Sequence, residues 1–372
     1  MAARYLVLSD VHFGTPESSI NDPRTSQALA RHLATRAPYE EIVLTGDLLD
    51  VNLSTLTQAL EGGAWRDLRA PLLGFRDFLA MLDRAMRELG SPRGLADLAA
   101  RWVYVPGNHD YKIWDLLATQ VACQEVLARG DRMGSVQTPL LKHAWPGDAS
   151  FLAGVFASFG VKDRVHVTYP NHEVSFGPHG TMLFTHGHYL DPSQTRGNDL
   201  SEQLRGVTDP AELQRTVRRI VIETAQYQTV ANAVSFTRGT SRLISVLVGP
   251  GGWANKLRKV ASTLGGWLTR LFFRREASLR GKAITPHQLE NVEWYLERFC
   301  GCDPIPRWFV FGHTHRQGRG RTRRHGLEVF NAGSFYPDDG LPVTFLEVEA
   351  DAAGAPAVAL MCVDEAGTVR PS

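Results

Sequence analysis

An α/β fold carrying a helical cap insertion is predicted for this chain of 372 residues, on three observations. Five short apolar runs, Tyr5 to Ser9, Ile42 to Thr45, Trp102 to Pro106, Met182 to Thr185 and Trp308 to Phe311, have the length and β-branched or aromatic content of buried strands rather than helices. Each ends in a polar cluster: Asp10-Val11-His12, Gly46-Asp47-Leu48-Leu49-Asp50, Gly107-Asn108-His109-Asp110, His186-Gly187-His188 and Gly312-His313-Thr314-His315. Between the fourth and fifth clusters, residues 190–305 read as helices. Strands that point the same way present their carboxyl ends together, where α/β sheets collect ligands. Residues far apart in sequence are therefore expected to converge.

Taken in order, the remaining elements follow from periodicity and punctuation. Residues 71–90 place Leu72, Phe75, Phe78, Leu79, Leu82, Met86 and Leu89 at helical spacing and stop at Gly90 and Pro92. A helix is expected over Ile113 to Leu127, then a Gly- and Pro-punctuated loop. Val165 to Tyr169 and Glu173 to Phe176 read as two strands joined in hairpin fashion by Pro170-Asn171-His172. In the insertion, Asp209-Pro210 with Glu212 starts a helix that aligns Leu213, Val217, Ile220, Val221, Ala225 and Gln228. Thr285-Pro286 with Gln288 repeats the device before Leu289, Val292, Leu296 and Phe299. Gly326 to Phe330, Val343 to Val348 and Ala357 to Val363 read as closing strands, and the last eight residues as a loose tail. This assigns residues 1–189 and 306–372 to a catalytic domain and 190–305 to the cap.

The cap contains a strongly basic stretch, Ser241 to Lys282, in which nine Lys and Arg face the single acid Glu276. Trp253, Leu257, Val260, Ala261, Leu264, Trp267, Leu268, Leu271 and Phe272 recur there every three or four residues, giving an apolar stripe flanked by cations. Such a stripe either packs on the catalytic domain or lies in an anionic membrane surface.

With 40 basic and 39 acidic residues the net charge of +1 gives no global argument for a nucleic-acid or membrane partner. Cys123, Cys300, Cys302 and Cys362 are too few and too uneven for a disulfide framework, and Cys300-Gly301-Cys302 is expected to be a reduced pair at a helix end. Met1 to Arg4 lead straight into the first strand, and no run of 18 apolar residues occurs. A cytoplasmic protein, peripheral on the membrane if the basic stretch binds lipid, is the expectation.

The clusters mix carboxylate oxygen, amide oxygen and neutral imidazole without thiolate, a donor set suited to Mn, Fe or Zn. Two such ions roughly 3.5–4 Å apart can share a carboxylate, activate a water and neutralise charge on a phosphoryl group. Singly, Asp10-Val11-His12 and Gly107-Asn108-His109-Asp110 are also plausible turns, whereas His313 and His315 are expected to alternate in an extended segment and face the same side. Together, in this order and each after a strand, the five clusters resemble the calcineurin-like metallophosphoesterase superfamily, whose pattern runs D-x-H, G-D-x-x-D, G-N-H-D/E, H-G or G-H, and G-H-x-H.

The resemblance covers residues 4–335 and implies a metallophosphoesterase-type two-sheet αββα sandwich. It implies that Asp10, His12 and His315 hold one metal, that Asn108, His186 and His313 hold the other, and that Asp47 bridges them. His109, paired with Asp50, would stabilise the phosphoryl group or protonate the leaving oxygen. Of the two imidazoles in Thr185-His186-Gly187-His188, the family pattern favours His186 as ligand and His188 near the substrate phosphate. Asn331-Ala332-Gly333-Ser334 is similar to the family's Asn-Xaa-Gly-Ser turn, which shapes the site without supplying a ligand. A narrower resemblance, to enzymes that cleave the pyrophosphate of UDP-2,3-diacylglucosamine, rests on the His-Gly motif and the helical cap after it. Arg196, Asn198 and Tyr227 are polar candidates for the inner face of that cap.

A phosphodiesterase or pyrophosphatase acting on a small-molecule, nucleotide-linked or lipid-linked ester is the leading reading. A nuclease is the enzymatic alternative, although the aromatics of the basic stretch follow its apolar stripe instead of alternating with cations as stacking platforms would. A non-catalytic scaffold is the third, and the intact ligand set argues against it.

Overall fold

The computed structural model describes residues 2–15, 18–50, 69–110, parts of 113–128, 143–146, 151–190, 284–300, 302, 304–336 and 342–372. The helix at 209–228, the basic stretch at 241–282 and the candidates Arg196, Asn198 and Tyr227 lie outside the described residues.

Strands β1 (Arg4–Leu8), β2 (Tyr39–Thr45), β3 (Ala99–Val105), β4 (His143–Pro146), β5 (Val165–Tyr169), β6 (Asn171–Ser175), β7 (Thr181–Thr185), β8 (Trp308–Phe311), β9 (Gly318–Arg321), β10 (Glu328–Asn331), β11 (Val343–Ala350), β12 (Pro356–Val363) and β13 (Val369–Pro371) build two sheets. The first has the order β13-β12-β11-β1-β2-β3-β5-β4 and the second β6-β7-β8-β10-β9. β1, β2, β3 and β5 are parallel, as are β7, β8 and β10. The fold is the two-sheet α/β sandwich expected from the sequence.

Alternation along the strands explains the layering. Val7, Val43, Val103 and Val105 of the first sheet pack with Val174, Met182, Phe184, Val310 and Phe330 of the second, forming a dry layer between the sheets. The opposite face of the first sheet, with Leu6, Leu8, Ile42, Leu44 and Trp102, is covered by helices α1 (Pro23–Arg36) and α2 (Arg69–Glu88). On α2 the expected stripe of Phe75, Phe78, Leu79, Leu82 and Met86 is buried, contributing roughly 1.5–3 kcal/mol for each side chain. A short helix, α3 (Phe151–Ala157), adds Phe156 against Phe75 and Trp102. Helix α4 (Pro286–Trp294) covers the second sheet. Its capping box, Thr285 with Gln288, forms as expected, and Val292, Tyr295 and Leu296 are fully buried. The carboxyl end of the 190–305 segment thus packs on the second sheet.

Two expectations are corrected. β5 and β6 do not pair as a hairpin: β5 joins β3 and β4 in the first sheet, whereas β6 joins β7 in the second. Pro170 carries the chain across the sandwich, and the hydrophobic pattern of each strand reports its sheet rather than its neighbour in sequence. The tail is not loose either, since Val369–Pro371 pairs antiparallel with β12. Ser372 bonds Leu360 through its N–H and Gln317 through its hydroxyl. Helix α1, unforeseen, starts at Asp22, which caps Arg24 N–H ahead of Pro23. Among the described residues no helix is long and apolar enough to cross a membrane.

Candidate metal centre

The five polar clusters meet at the carboxyl ends of β1, β2, β3, β7 and β8. Beyond the strands, the loops continue the ladder: Asp10 N–H donates to Gly46 O (3.1 Å), His12 N–H to Asp47 O (2.8 Å), and Gly312 N–H to His186 O (2.9 Å). Glycine is required where these loops touch. A Cβ on Gly46, whose φ is +81°, would collide with the His186 ring, and one on Gly312 would collide with Ser9 and Asp10.

Two donor groups result. In the first, Asp10, His12 and His315 bring a carboxylate oxygen and two imidazole nitrogens within 4.8 Å of one another. His12 Nε2 is 3.3 Å from His315 Nε2, which is 3.3 Å from Asp10 Oδ1. Two neutral imidazoles cannot both donate across that gap, but their lone pairs and the carboxylate all fit one cation. In the second group, Asp47, His186 and His313 converge likewise. Asn108 Oδ1 lies 2.9 Å from His186 Nε2, and Asp47 Oδ2 lies 3.3 Å from the same nitrogen. His186 Nδ1 faces Thr45 O at 3.0 Å, which sets the tautomer that leaves Nε2 as a donor to metal.

Asp47 Oδ2 is also 3.9 Å from His12 Nε2, so this carboxylate stands between the groups. All these donors except His313 and His315 are buried. The residue types and their convergence fit two divalent ions.

The electrostatics agree. Burial pushes the Asp47 carboxyl up, but His186 and His109 outweigh it and hold the group well below the usual range. Conversely, burial opposes charge on His186, yet Asp47 and Asp10 raise it to about 9. A carboxylate field that favours a proton on a buried imidazole also favours a metal cation in the proton's place.

His109 sits beside these groups. Its Nδ1 is 3.4 Å from Asp50 Oδ1 and its Nε2 3.9 Å from Asp47 Oδ2. Burial lowers its pKa, but Asp47 and Asp50 together raise it to about 9. Asp50 also faces His12 Nδ1 at 3.7 Å. His109 groups with His12 and Asp50 closely enough to hold an ion in its own right. His188 is buried next to His186 and His313, with Nε2 3.4 Å from the Tyr169 hydroxyl. Burial first, then His186 and His313, keeps it neutral.

Several further residues hold these donors in place. Thr15 donates to Asp50 Oδ2 at 2.7 Å, and Ser9 donates to Asp10 Oδ2 at 2.5 Å. Asp110 accepts from Gly107 N–H (2.6 Å) and Leu48 N–H (2.7 Å), tying the second motif to the third. Burial, then Asp47, raises its carboxyl to about 6. Asn331 donates to Thr314 Oγ1 at 2.7 Å, clamping the last motif loop as the Asn-Xaa-Gly-Ser turn suggested. Asn331 and Asp110 stood inside quoted motifs, Asp110 without a role of its own. Thr15 and Ser9 are recognisable only once distant loops are brought together.

No protein-family model and no curated protein matches the chain. Solved structures similar to it include a Vps29 single mutant from Entamoeba histolytica, at TM-score 0.32 and 10% identity over 99% of this chain and 97% of that one. A dimetal phosphatase from Danio rerio matches at TM-score 0.35 and 11% identity, over 96% and 98% of the two chains. A predicted phosphoesterase from Streptococcus pneumoniae matches at 0.31 and 9%, over 100% and 98%. At these scores the likenesses carry no argument of their own, and the function is argued from the site.

Proposed function

We propose that this chain is a dinuclear-metal-dependent hydrolase of a phosphodiester or pyrophosphate bond in a small-molecule, nucleotide-linked or lipid-linked substrate. One observation carries the reading: two groups of carboxylate and imidazole donors flank a single shared carboxylate, Asp47, at the joined strand ends. In this reading Asp10, His12 and His315 hold one ion, Asn108, His186 and His313 the other, and Asp47 both. Bound Mn, Fe or Zn ions would supply an activated water and neutralise phosphoryl charge.

The chain's own groups do the rest. His109, protonated and oriented by Asp50, donates to a phosphoryl oxygen or to the leaving oxygen. Asp50 is fixed by Thr15, and His186 by Thr45 O, so the donors stay aimed without reorganisation. His188 is taken as a substrate-side neighbour of His186, with Arg196 and Asn198 as contacts from the cap.

We assign residues 1–189 and 306–372 to the catalytic domain and 190–305 to the cap. The basic stretch 241–282 would bring the cytoplasmic enzyme to an anionic membrane, in keeping with a lipid-linked substrate of the UDP-2,3-diacylglucosamine type. A nuclease is the alternative, and a scaffold would require no intact ligand set.

Metal-reconstituted protein should be screened against bis-p-nitrophenyl phosphate, p-nitrophenyl phosphate, a nucleotide diphosphate sugar and single-stranded DNA. Turnover of the diester or the diphosphate supports the proposal. DNA cleavage alone selects the nuclease, and inactivity on every substrate with Mn, Fe and Zn refutes an enzymatic role.

A further inference from the structure

Tyr336 has no place in the ligand set, yet it is fixed against it. The backbone on both sides of residue 335 is tied to the first motif: Phe335 N–H donates to Asp10 O at 3.1 Å, and Ser334 Oγ donates to the same oxygen at 3.3 Å. Tyr336 N–H in turn donates to Ser334 Oγ at 2.7 Å. Phe335 is fully buried and anchors the turn in the core.

This places the Tyr336 ring 6.0 Å from His12 and 5.8 Å from His315, centroid to centroid. His12 is buried, whereas Tyr336 is partly exposed and the His315 side chain is 16% exposed. Tyr336 and His315 therefore share the rim of the first donor group. A phosphate ester held at that group would have the phenol ring of Tyr336 as a neighbour on the same rim.

We infer that Tyr336 is a specificity-determining residue that packs against a planar ring carried as the ester's non-leaving substituent, an aryl group or a base. The inference rests on the phosphoesterase reading above. Aromatic stacking tolerates any flat substituent and contributes little to a small alkyl one. The ring should therefore act on substrate choice, with little effect on metal binding.

The test uses manganese-loaded wild type, Tyr336→Ala and Tyr336→Phe with two diesters that share a leaving group, bis-p-nitrophenyl phosphate and methyl p-nitrophenyl phosphate. Tyr336→Ala should raise KM for the diaryl ester about tenfold, as expected for one lost stacking partner. KM for the methyl ester should change less than about twofold, and Tyr336→Phe should resemble wild type on both. Bound manganese per chain and the inhibition constant of inorganic phosphate should be unchanged. An equal loss on both esters, or lost manganese, overturns the inference and makes Tyr336 a prop for His12 and His315. If wild type turns over neither ester, the phosphoesterase reading itself fails and the inference falls with it.

Discussion

Asp47→Asn isolates the role of the shared carboxylate. The substitution keeps the shape, keeps an oxygen for the His109 N–H bond that Oδ1 accepts at 2.8 Å, and suits the left-handed φ of 48°. Only one buried charge is lost. At the 3.3 Å separation from His186 Nε2, and an effective dielectric of about 20, a unit charge in that position interacts by about 5 kcal/mol. That corresponds to more than three decades of affinity for a cation held there. Wild type at a metal concentration about 100 times Kd gains about 2.7 kcal/mol of stability, whereas the variant at the same concentration gains essentially none. Thermal melts in chelator and in manganese, with metal content by mass spectrometry, read both effects. Similar melting in chelator, with the metal-dependent rise confined to wild type, is the expected outcome. An Asn variant that retains two ions and the full rise would refute the bridging role.

His109→Ala should keep its metals and lose about 10² to 10⁴ in turnover, with a smaller loss for p-nitrophenolate than for alkoxide leaving groups. Equal losses would reassign His109 from leaving-group acid to phosphoryl charge. Glu347 gives a pH-dependent prediction remote from the site. Burial raises its carboxyl, but His32 at 3.0 Å, Arg36 and the Tyr39 hydroxyl outweigh this and hold it below 4.5. Its stabilisation is thus present above 4.5 and fades as pH falls through the lower folded value. Glu347→Gln should therefore cost about 1–2 kcal/mol at neutral pH, and urea melts should show the gap closing in acid; a gap of constant width would mean lost packing instead of lost charge. For residues 241–282, wild type should co-float with anionic liposomes in low salt, while a folded Trp267→Glu, Leu271→Glu variant should not. Flotation that ignores the variant's acids leaves the stripe as a packed cap.

What the sequence disclosed was local. The strand runs, the stripe of α2 and the capping box at Thr285 are short-range patterns with direct physical causes, and each stands where periodicity placed it. The five motifs were legible for the same reason, because a polar cluster after a buried strand marks a strand end. Pairing partners were not legible. Val165 to Tyr169 and Asn171 to Ser175 look like a hairpin because nothing local tells a chain reversal within one sheet from a crossing between two. β13 was missed because a three-residue polar edge strand has no hydrophobic signature. Thr15, Ser9 and Asp110 acquire their roles only through residues up to 62 positions away. Thr15 and Ser9 are of types ordinary in turns, so no sequence signal singled them out, whereas Asp110 stood in the third motif with its bonding partners illegible.

The backbone separates this site from a chance gathering of polar turns. Six non-glycine residues among those described have positive φ, and five of them are Asp10, His12, Asp47, His313 and His315. Each left-handed residue costs on the order of 1–3 kcal/mol unless its surroundings over-determine it. Here they do, through Asp10 N–H to Gly46 O, His12 N–H to Asp47 O and His313 N–H to Asp10 Oδ2. An extended strand would send residues two apart to the same face, perpendicular to the sheet. A left-handed residue at the strand end breaks that alternation and turns Asp10 with His12, and His313 with His315, toward a common point. Loops selected only to reverse the chain most often place Gly or Asn at such positions. Aspartate and histidine there, with carboxylate and imidazole converging, support the proposed ligand roles.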